Sequence, residues 1–566
     1  MTLAYDEAVA QVTAAGQAYE TEDIEISGVT VKVFKNAPGT LRDLLSVART
    51  RPDQEYLVYE DERWTFAEVM ARVDEIAAML VHDYGVGKGD RVTIAMRNYP
   101  EWVMSFAAIT SIGAISVSAN AWWTAEELEY GLTDSGSKVL IADRERIDRA
   151  AEALVTHGID AIAVRAEGSL PERAQHLEDV LTPGAAMPDV GIDPDDDATI
   201  LYTSGTTGFP KGAVSSNRAV VQALFGFFCR ATAEQLRKAD GVATDDGPAD
   251  KPCFILCVPL FHVTGCIPIM LSTFTTGAKL VMMYKWNPER ALELIERERV
   301  TNFVGVPTMS WDLLESPDFA SRDTSSLLSV GGGGAPAPPE LVKRVESGFS
   351  RGRPSIGYGM TETNAYGPQN SGDDYVSHPT STGRSTPILQ VEVFDVATGE
   401  GPLPRGVQGE ICFKGPTLIR GYWNKPEATA ETIVDGWLRS GDLGRIDADG
   451  FVYVEDRAKD MILRAGENIY CAEVEAAIYQ HPAVYEASVF GVPHERLGEE
   501  VAVAVYVRPG AELTANELQR FLAEHIAPFK VPSIVTFHDD QLPRNASGKI
   551  LKKDLRAEHT ETSPDT

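Results

Sequence analysis

Short apolar runs alternate with amphipathic stretches along most of this sequence. Runs such as RVTIAM (91–96), KVLIAD (138–143) and ATILYT (198–203) are rich in the residues typical of buried strands. The first two precede stretches with helical spacing, PEWVMSFAAITSIG (100–113) and RERIDRAAEALVTHG (144–158). Alternating strands and helices predict mostly parallel sheets layered with helices, and hence an α/β fold. Ligands of such sheets bind at the carboxyl ends of the strands.

The pattern changes after about residue 385. Three short apolar runs separated by turns predict a small antiparallel subdomain: LQVEVFD (389–395), GEICFKG (409–415) and GFVYVEDR (450–457). A new strand and helix pattern starts near residue 457 and predicts an α+β unit. We therefore expect a large domain over 1–456 and a small domain over 457–566. The polar segment 231–252 predicts a surface insertion.

Composition narrows the class of protein. A chain of 566 residues predicts two to four domains. The 83 acidic and 51 basic residues give a net charge of -32, which argues against a nucleic-acid partner. Six cysteines without a CxxC pair fit reduced thiols in a cytosol, so a cytoplasmic protein is expected. The sequence shows no secretory signal and no apolar run long enough to span a membrane.

The segment CFILCVPLFHVTGC (253–266) raises the alternative of a zinc site. It contains Cys253, Cys257, His262 and Cys266 within one apolar run. The spacing lacks the paired ligands of known zinc motifs. Buried small side chains are therefore the preferred interpretation.

A stretch rich in glycine and threonine, TSGTTGFPKG (203–212), begins at the last residue of ATILYT. Its spacing does not match the common phosphate loop, in which a lysine directly follows the second glycine. Glycines nonetheless let backbone N–H groups approach a phosphate, and hydroxyls and a lysine add further donors. The stretch predicts a phosphate-binding loop, with an ordinary glycine-rich turn as the alternative. The candidate residues are Thr203, Ser204, Gly205, Thr206, Thr207, Gly208 and Lys211.

This stretch closely resembles the phosphate loop of the acyl-adenylate-forming superfamily. That superfamily includes acyl-CoA synthetases, coumarate-CoA ligases, peptide-synthetase adenylation domains and firefly luciferase. Five further motifs resemble those of the family and occur in its order: GYGMTET (357–363), GYW (421–423), GWLRSGDLGRID (436–447), VEDRAKDMILRAGENIY (454–470) and LPRNASGK (542–549). The resemblance covers nearly the whole chain and implies a large domain followed by a small, mobile one.

The resemblance implies a nucleotide site. Glu362 would hold Mg²⁺, which prefers carboxylate and phosphate oxygens, and Thr361 would contact the α-phosphate of ATP. Asp442 would accept hydrogen bonds from the ribose hydroxyls, and Arg457 would be the second ribose contact. Taken alone, Asp442 would also suit a turn or a helix cap. Adenine would lie between Tyr358 and the backbone of Gly334, Ala335 and Pro336.

The same resemblance implies a two-step reaction. A carboxylic acid attacks the α-phosphorus of ATP, which releases pyrophosphate and leaves acyl-AMP. The thiol of coenzyme A then displaces AMP. Lys549 would bridge the substrate carboxylate and the α-phosphate in the first step; outside its motif it would be read as a solvated surface lysine. Lys459 occupies the hinge position, and Gly466 matches the glycine that lines the pantetheine tunnel.

The acid pocket is expected among VPLFHVTG (258–265), VGVPTM (304–309), SVGGGGAP (329–336) and the residues after Glu362. His262 matches the family's aromatic gate, and the glycines 331–334 would leave room for a long tail. None of these segments contains Lys or Arg, which favours a hydrophobic monocarboxylate, in particular a medium- or long-chain fatty acid. An aryl or sterol-derived acid stays open. The apolar candidates for the lining are Val258, Phe261, Val306, Met309 and Trp311.

Two other functions remain as alternatives to a coenzyme A ligase. An adenylating enzyme could load a carrier protein, although no carrier segment follows residue 549. A protein could also bind the acyl group or nucleotide without turnover, although Glu362, Asp442, Arg457 and Lys549 are all retained. The sequence leaves the oligomeric state open, with a homodimer among the options.

Overall fold

The computed structural model describes residues 3–203, 210–239, 251–335, 337–458, 460–464, 467–494, 496–545 and 548–562. The strands are β1 (Thr21–Ile26), β2 (Val29–Phe34), β3 (Glu55–Tyr59), β4 (Glu62–Thr65), β5 (Arg91–Ala95), β6 (Ile115–Ser118), β7 (Val139–Asp143), β8 (Asp160–Val164), β9 (Ala174–His176), β10 (Asp197–Thr203), β11 (Lys211–Ser216), β12 (Cys253–Leu256), β13 (Lys279–Met282), β14 (Asn302–Gly305), β15 (Ser329–Gly333), β16 (Arg353–Gly357), β17 (Gln369–Ser371), β18 (Gln390–Phe394), β19 (Gly409–Lys414), β20 (Gly421–Tyr422), β21 (Ile433–Val434), β22 (Trp437–Ile446), β23 (Val452–Arg457), β24 (Ile462–Arg464), β25 (Glu467–Ile469), β26 (Val484–His494), β27 (Gly498–Val507) and β28 (Ile534–His538).

The helices connect and cover these strands. They are α1 (Tyr5–Val12), α2 (Leu41–Ser46), α3 (Phe66–His82), α4 (Pro100–Ser111), α5 (Ala125–Ser135), α6 (Arg144–His157), α7 (Leu177–Val180), α8 (Asn217–Ala239), α9 (Ser272–Thr276), α10 (Pro288–Glu298), α11 (Pro307–Glu315), α12 (Pro339–Gly348), α13 (Gly372–Ser377), α14 (Pro426–Thr432), α15 (Cys471–Ile478), α16 (Ala515–Ala523) and α17 (Lys552–Thr562). A π-helical segment, Gly265–Leu271, leads directly into α9.

Two eight-stranded sheets form the large domain. The first has the order β20-β11-β10-β6-β5-β7-β8-β9, and the second β17-β16-β15-β14-β12-β13-β3-β4. In the first sheet, the six neighbouring strands from β10 through β9 pair in parallel, and in the second sheet the six from β16 through β3 do so. The remaining strands, β20, β11, β17 and β4, pair antiparallel. The predicted α/β class with mostly parallel sheets is confirmed.

The unit β7–α6 shows how the sequence produces these layers. The side chain of Asp143, the last residue of β7, accepts a hydrogen bond from the backbone N–H of Arg146 at 3.2 Å and so caps α6. Gly158 ends the helix in the left-handed conformation, at φ +66°. The cap and the terminating glycine explain why strand and helix follow one another without a long loop.

Asn98 links the carboxyl ends of the two large sheets. Its amide donates to the carbonyl oxygens of Val258 at 3.0 Å and Met283 at 3.2 Å, in the loops after β12 and β13. Its side-chain oxygen accepts from the backbone N–H of Leu260 at 2.9 Å. Because Asn98 itself follows β5, the ligand-binding edges of both sheets open toward the same region of the molecule.

Two smaller sheets follow in the second part of the chain. Strands β18, β19, β22, β21 and β23 pair antiparallel, which confirms the predicted subdomain. In the small domain, β25, β24, β27 and β26 pair antiparallel and β28 joins β27 in parallel. The boundary between residues 456 and 457 stays a prediction. Arg457 still pairs with Asp442 in the antiparallel sheet.

The structure corrects the expectation of a surface insertion for residues 231–239. They continue helix α8, which ends at Ala239. Ala233 is fully buried and packs with Tyr5, Ala8 and Val9 of helix α1. The expectation was wrong because the apolar partner of this segment lies more than 200 positions away in the sequence. Residues 240–250 lie outside the described part of the chain.

Candidate active site

Glu362 lies on a short 3₁₀ turn, Thr361–Thr363, after strand β16. The residue is 7% exposed, and its Oε1 accepts a hydrogen bond from the Tyr422 hydroxyl at 2.7 Å. Burial raises the pKa of Glu362, and the Tyr422 hydrogen bond opposes this shift. Within the described ranges no Lys or Arg forms an ion pair with this carboxylate. A cation placed beside this carboxylate would stabilise its charged form.

Tyr422 also contacts the lysine of the predicted phosphate loop. Lys211 begins β11 and pairs with Thr203 across the hairpin formed with β10. Its ammonium lies 5.1 Å from the centre of the Tyr422 ring, and the Thr203 hydroxyl donates to the Lys211 carbonyl at 3.3 Å. Tyr422 thus brings Lys211 and Glu362 to one place. The remaining loop residues, Ser204, Gly205, Thr206, Thr207 and Gly208, lie outside the described residues.

Asp442 is fixed by two neighbours that belong to other predicted motifs. It is 4% exposed, and its Oδ2 accepts from the Tyr358 hydroxyl at 2.6 Å. The Arg457 Nε lies 2.9 Å from Oδ1. Burial, together with the Asp442 charge, raises the pKa of Tyr358 well above its usual value, so this phenol remains a donor. The three predicted nucleoside contacts therefore form one connected group.

The glycines after Val330 have a structural reason that differs from the predicted one. A Cβ on Gly332 would lie 1.6 Å from the carbonyl oxygen of Gly305, and one on Gly331 would lie 1.8 Å from that of Ser355. The close approach of β14 and β16 to β15 therefore excludes side chains at both positions. Gly334 has a φ of +82°, which also favours glycine. Pro336 lies outside the described residues.

The loop that carries Lys549 contacts the large domain at the start of α11. A Cβ on Gly548 would lie 2.9 Å from the Val306 side chain, and Gly548 has a φ of +85°. The backbone N–H of Lys549 donates to Asn545 Oδ1 at 2.9 Å. Lys549 lines an interdomain cleft together with Ala335, a predicted adenine contact. Two other candidates of the small domain, Lys459 and Gly466, lie outside the described residues.

His262 lies between β12 and the π-helical segment. Its Nε2 is buried and has no hydrogen-bond partner among the described residues. Its ring lies 4.9 Å from that of Phe261. Burial lowers the pKa of His262 to about 4. The imidazole is therefore neutral at physiological pH, and its role as an aromatic gate stays a prediction.

The buried imidazole predicts a loss of stability at mildly acidic pH. The unfolded chain takes up a proton below about pH 6.5, whereas folded His262 stays neutral until about pH 4. Between pH 7.5 and 5 we expect its share of the free energy of unfolding to fall by about 2 kcal/mol. Urea unfolding at both pH values should show a decrease smaller by this amount in His262→Asn. Equal decreases in both proteins would contradict the assignment.

Two cations near the predicted acid pocket escaped the sequence analysis. Arg97 and Lys285 line a cleft together with Phe261, Val306 and Met309, and residues of the small domain such as Arg544 complete its lining. The Arg97 guanidinium lies 5.0 Å from the Trp122 ring and 5.5 Å from the Tyr284 ring. Arg97 follows β5 of the first sheet, and Lys285 follows β13 of the second sheet. No local sequence pattern therefore connects the two cations with the pocket. Predicting their position would have required knowledge of the strand order.

The predicted pocket residue Trp311 lines the interdomain cleft together with Lys549. The Trp311 ring centre lies 4.9 Å from the guanidinium of Arg344 and 5.7 Å from that of Arg508. Val258 is buried in the main hydrophobic core. All six cysteines carry buried free thiols, and the described residues contain no group of three or more metal-ligand side chains. No helix in the described ranges is long and apolar enough to cross a membrane.

Comparison with known proteins identifies the family. Residues 44–423 match the family described as AMP-binding enzyme, and residues 473–549 match its C-terminal domain. A long-chain-fatty-acid–CoA ligase of Bacillus subtilis is 32% identical over 92% of this chain and 95% of its own length. A feruloyl-CoA synthase of an Amycolatopsis species is 34% identical over 90% of this chain and 96% of its own.

Solved structures give the same result. ATP-bound MatB from Rhodopseudomonas palustris covers 92% of this chain and 99% of its own, at a TM-score of 0.78 and 29% identity. The o-succinylbenzoate CoA synthetase MenE of Bacillus subtilis, bound to its acyl-adenylate intermediate, covers 91% and 97%, at a TM-score of 0.75 and 29% identity. This chain therefore belongs to the AMP-binding enzyme family of the acyl-adenylate-forming superfamily. It is an acyl-CoA synthetase, which is an AMP-forming acid–thiol ligase.

Proposed function

We propose that this enzyme joins a hydrophobic monocarboxylic acid to coenzyme A, and that it converts ATP to AMP and pyrophosphate in doing so. The observation that carries the proposal is the position of Tyr422, which contacts both Lys211 and Glu362. This contact places the cation of the phosphate loop beside the carboxylate of the nucleotide motif. The joined group can bind a triphosphate, and the group around Asp442 can bind the nucleoside.

In the first step, an oxygen of the substrate carboxylate forms a bond to the α-phosphorus, and the bond to the pyrophosphate leaving group breaks. Lys211 stabilises the charge on the departing phosphates, and Lys549 bridges the two reacting anions. Thr361 contacts the α-phosphate. Glu362, whose buried carboxylate accepts a neutral hydrogen bond, suits Mg²⁺, and this ion would neutralise phosphate charge when bound.

In the second step, the thiol of coenzyme A attacks the acyl carbonyl, and AMP leaves. The small domain, residues 457–566, turns about Lys459 between the steps and removes Lys549 from the reacting centre. Gly466 then lies along the path of the pantetheine arm. Asp442 and Tyr358 retain the nucleoside through both steps, since their hydrogen bond joins the nucleotide motif to the antiparallel subdomain.

We propose a medium- or long-chain fatty acid as the substrate, with an aromatic acid as the second candidate. Phe261, Val306 and Met309 supply the apolar part of the cleft, whose lining also includes the cations Arg97 and Lys285. The relatives named above include both a long-chain-fatty-acid–CoA ligase and a feruloyl-CoA synthase.

The test of the substrate class is thioester formation from a panel of acids. The panel contains acetate, dodecanoate, palmitate, benzoate and ferulate, each with ATP, Mg²⁺ and coenzyme A. We expect the highest kcat/KM for dodecanoate or palmitate. A higher value for benzoate or ferulate would replace the fatty acid by an aromatic acid. A highest value for acetate would contradict the hydrophobic pocket.

A further inference from the structure

Helix α11 contacts the small domain at both of its ends. At its start, Val306 packs against Gly548, next to Lys549. At its other end, Asp312 and Glu315 lie three positions apart and so share one face of the helix. Both carboxylates contact side chains of the small domain. Neither residue belongs to a motif that the sequence analysis identified.

Asp312 bridges the two domains with its two oxygens. The Tyr485 hydroxyl, on β26 of the small domain, donates to Oδ1 at 2.7 Å. The indole N–H of Trp286, in the large domain, donates to Oδ2 at 2.8 Å. Burial raises the pKa of Tyr485, and the Asp312 hydrogen bond raises it further, so the hydroxyl stays protonated. Trp286 fixes the carboxylate, and Tyr485 is the part of the contact that belongs to the mobile domain.

Glu315 forms the second bridge. It accepts from Arg508 of the small domain, and it also pairs with Arg344 of α12 at 2.9 Å. The Glu315 and Arg508 side chains are 19% and 28% exposed, so solvent screens this pair less than a surface pair. The Trp311 ring contacts the guanidinium groups of both Arg344 and Arg508. Such cation–π contacts add to the attraction across the interface.

We propose that Trp311, Asp312 and Glu315 form a docking face on α11 that holds the small domain in the orientation for adenylate formation. The inference rests on the proposed two-step function. The same helix receives Gly548 at its start, so Tyr485 and Arg508 determine where the Lys549 loop meets the large domain. Contacts that exist in one orientation only shift the population toward it. Trp311 and Asp312 also line the clefts that contain Lys549 and Met309, and we assign all three residues a positioning role through the small domain.

The chemistry of the docking face suits an interface that must open. Its contacts are hydrogen bonds, an ion pair and cation–π contacts, which water can replace when the domains separate. An apolar interface of the same size would expose hydrophobic surface at each turnover. The docking face therefore stabilises the first orientation without preventing the second.

Two variants test the proposal by separating the half-reactions. Tyr485→Phe removes the donor to Asp312, and Glu315→Gln removes the charge that faces Arg508. The first half-reaction is measured as acid-dependent pyrophosphate release. The acid is dodecanoate or ferulate, whichever gives the faster release with the wild type. The second is thioester formation from the matching synthetic acyl adenylate and coenzyme A. We expect each variant to slow the first about 5- to 10-fold and to leave the second within twofold.

Tyr453→Phe is the matched control. The Tyr453 hydroxyl donates to Asp447 at 3.1 Å within the antiparallel subdomain. The variant therefore removes a comparable hydrogen bond that does not cross between the domains. An equal decrease of both half-reactions in Tyr485→Phe and Glu315→Gln, or no decrease in either, would overturn the docking face. If one variant does not fold, the other decides. If the wild type itself releases no pyrophosphate with any acid, the proposed function fails, and the docking face fails with it.

Discussion

Replacing Lys549 by alanine is expected to lower acid-dependent pyrophosphate release at least about 100-fold. The ammonium is the group that would bridge the carboxylate and the α-phosphate, and the nearby Arg544 is already paired with Glu486. Thioester formation from supplied acyl adenylate and coenzyme A should stay within about threefold of the wild type. This asymmetry is expected because, in the proposed mechanism, Lys549 would leave the reacting centre before the thiol attacks.

Lys553→Ala is the control for this variant. Lys553 lies four positions further along the chain and is exposed, so its removal changes the local charge without touching the cleft. Both half-reactions should remain at the wild-type rate in this control. A Lys549→Ala variant that loses both half-reactions equally would contradict the separation of the two steps.

Replacing Glu362 by glutamine is expected to lower overall turnover about 10- to 100-fold and to raise the Mg²⁺ concentration needed for half-maximal rate. The amide keeps the shape of the side chain and can still accept from Tyr422. Only the charge is lost. Because burial raises the pKa of Glu362, the charged form is costly in the folded protein, so the variant should unfold at the same temperature or a higher one.

Tyr422→Phe separates the charge of Glu362 from its orientation. This variant keeps the carboxylate and the ring beside Lys211 but removes the hydrogen bond at 2.7 Å. We expect a smaller decrease in turnover than in Glu362→Gln, with little change in the Mg²⁺ requirement. Turnover that is unaffected in Glu362→Gln would remove this residue as a metal ligand.

Much of the fold could be predicted because its signals are local. The strand KVLIAD and the helix after it were identified from apolar spacing, and Asp143 and Gly158 limit that helix as the pattern indicates. Site residues such as Glu362 and Asp442 were predicted from the resemblance of their contiguous motifs to those of the family, and their roles stay predictions. The structure brings both of them next to partners from other motifs.

The features that could not be predicted depend on contacts between distant parts of the chain. Tyr422 belongs to the GYW motif (421–423), which gave no sign of its contact with Glu362, 60 positions earlier in the chain. Asp312 and Tyr485 are 173 positions apart and lie in different domains. The glycines beside Val330 look like space for a substrate, yet the neighbouring backbones of β14 and β16 require them. Sheet order and domain contact, rather than residue type, determine each of these features.

We propose that one site of this enzyme first activates an acid with ATP and then transfers it to a thiol. The most direct test of this proposal is pyrophosphate release from ATP with dodecanoate or ferulate, measured with and without coenzyme A. The account predicts about one turnover per enzyme without coenzyme A and continuous turnover with it, because the thiol regenerates the free site. A single turnover that coenzyme A does not renew would contradict the account, and it would indicate a carrier protein as the acceptor.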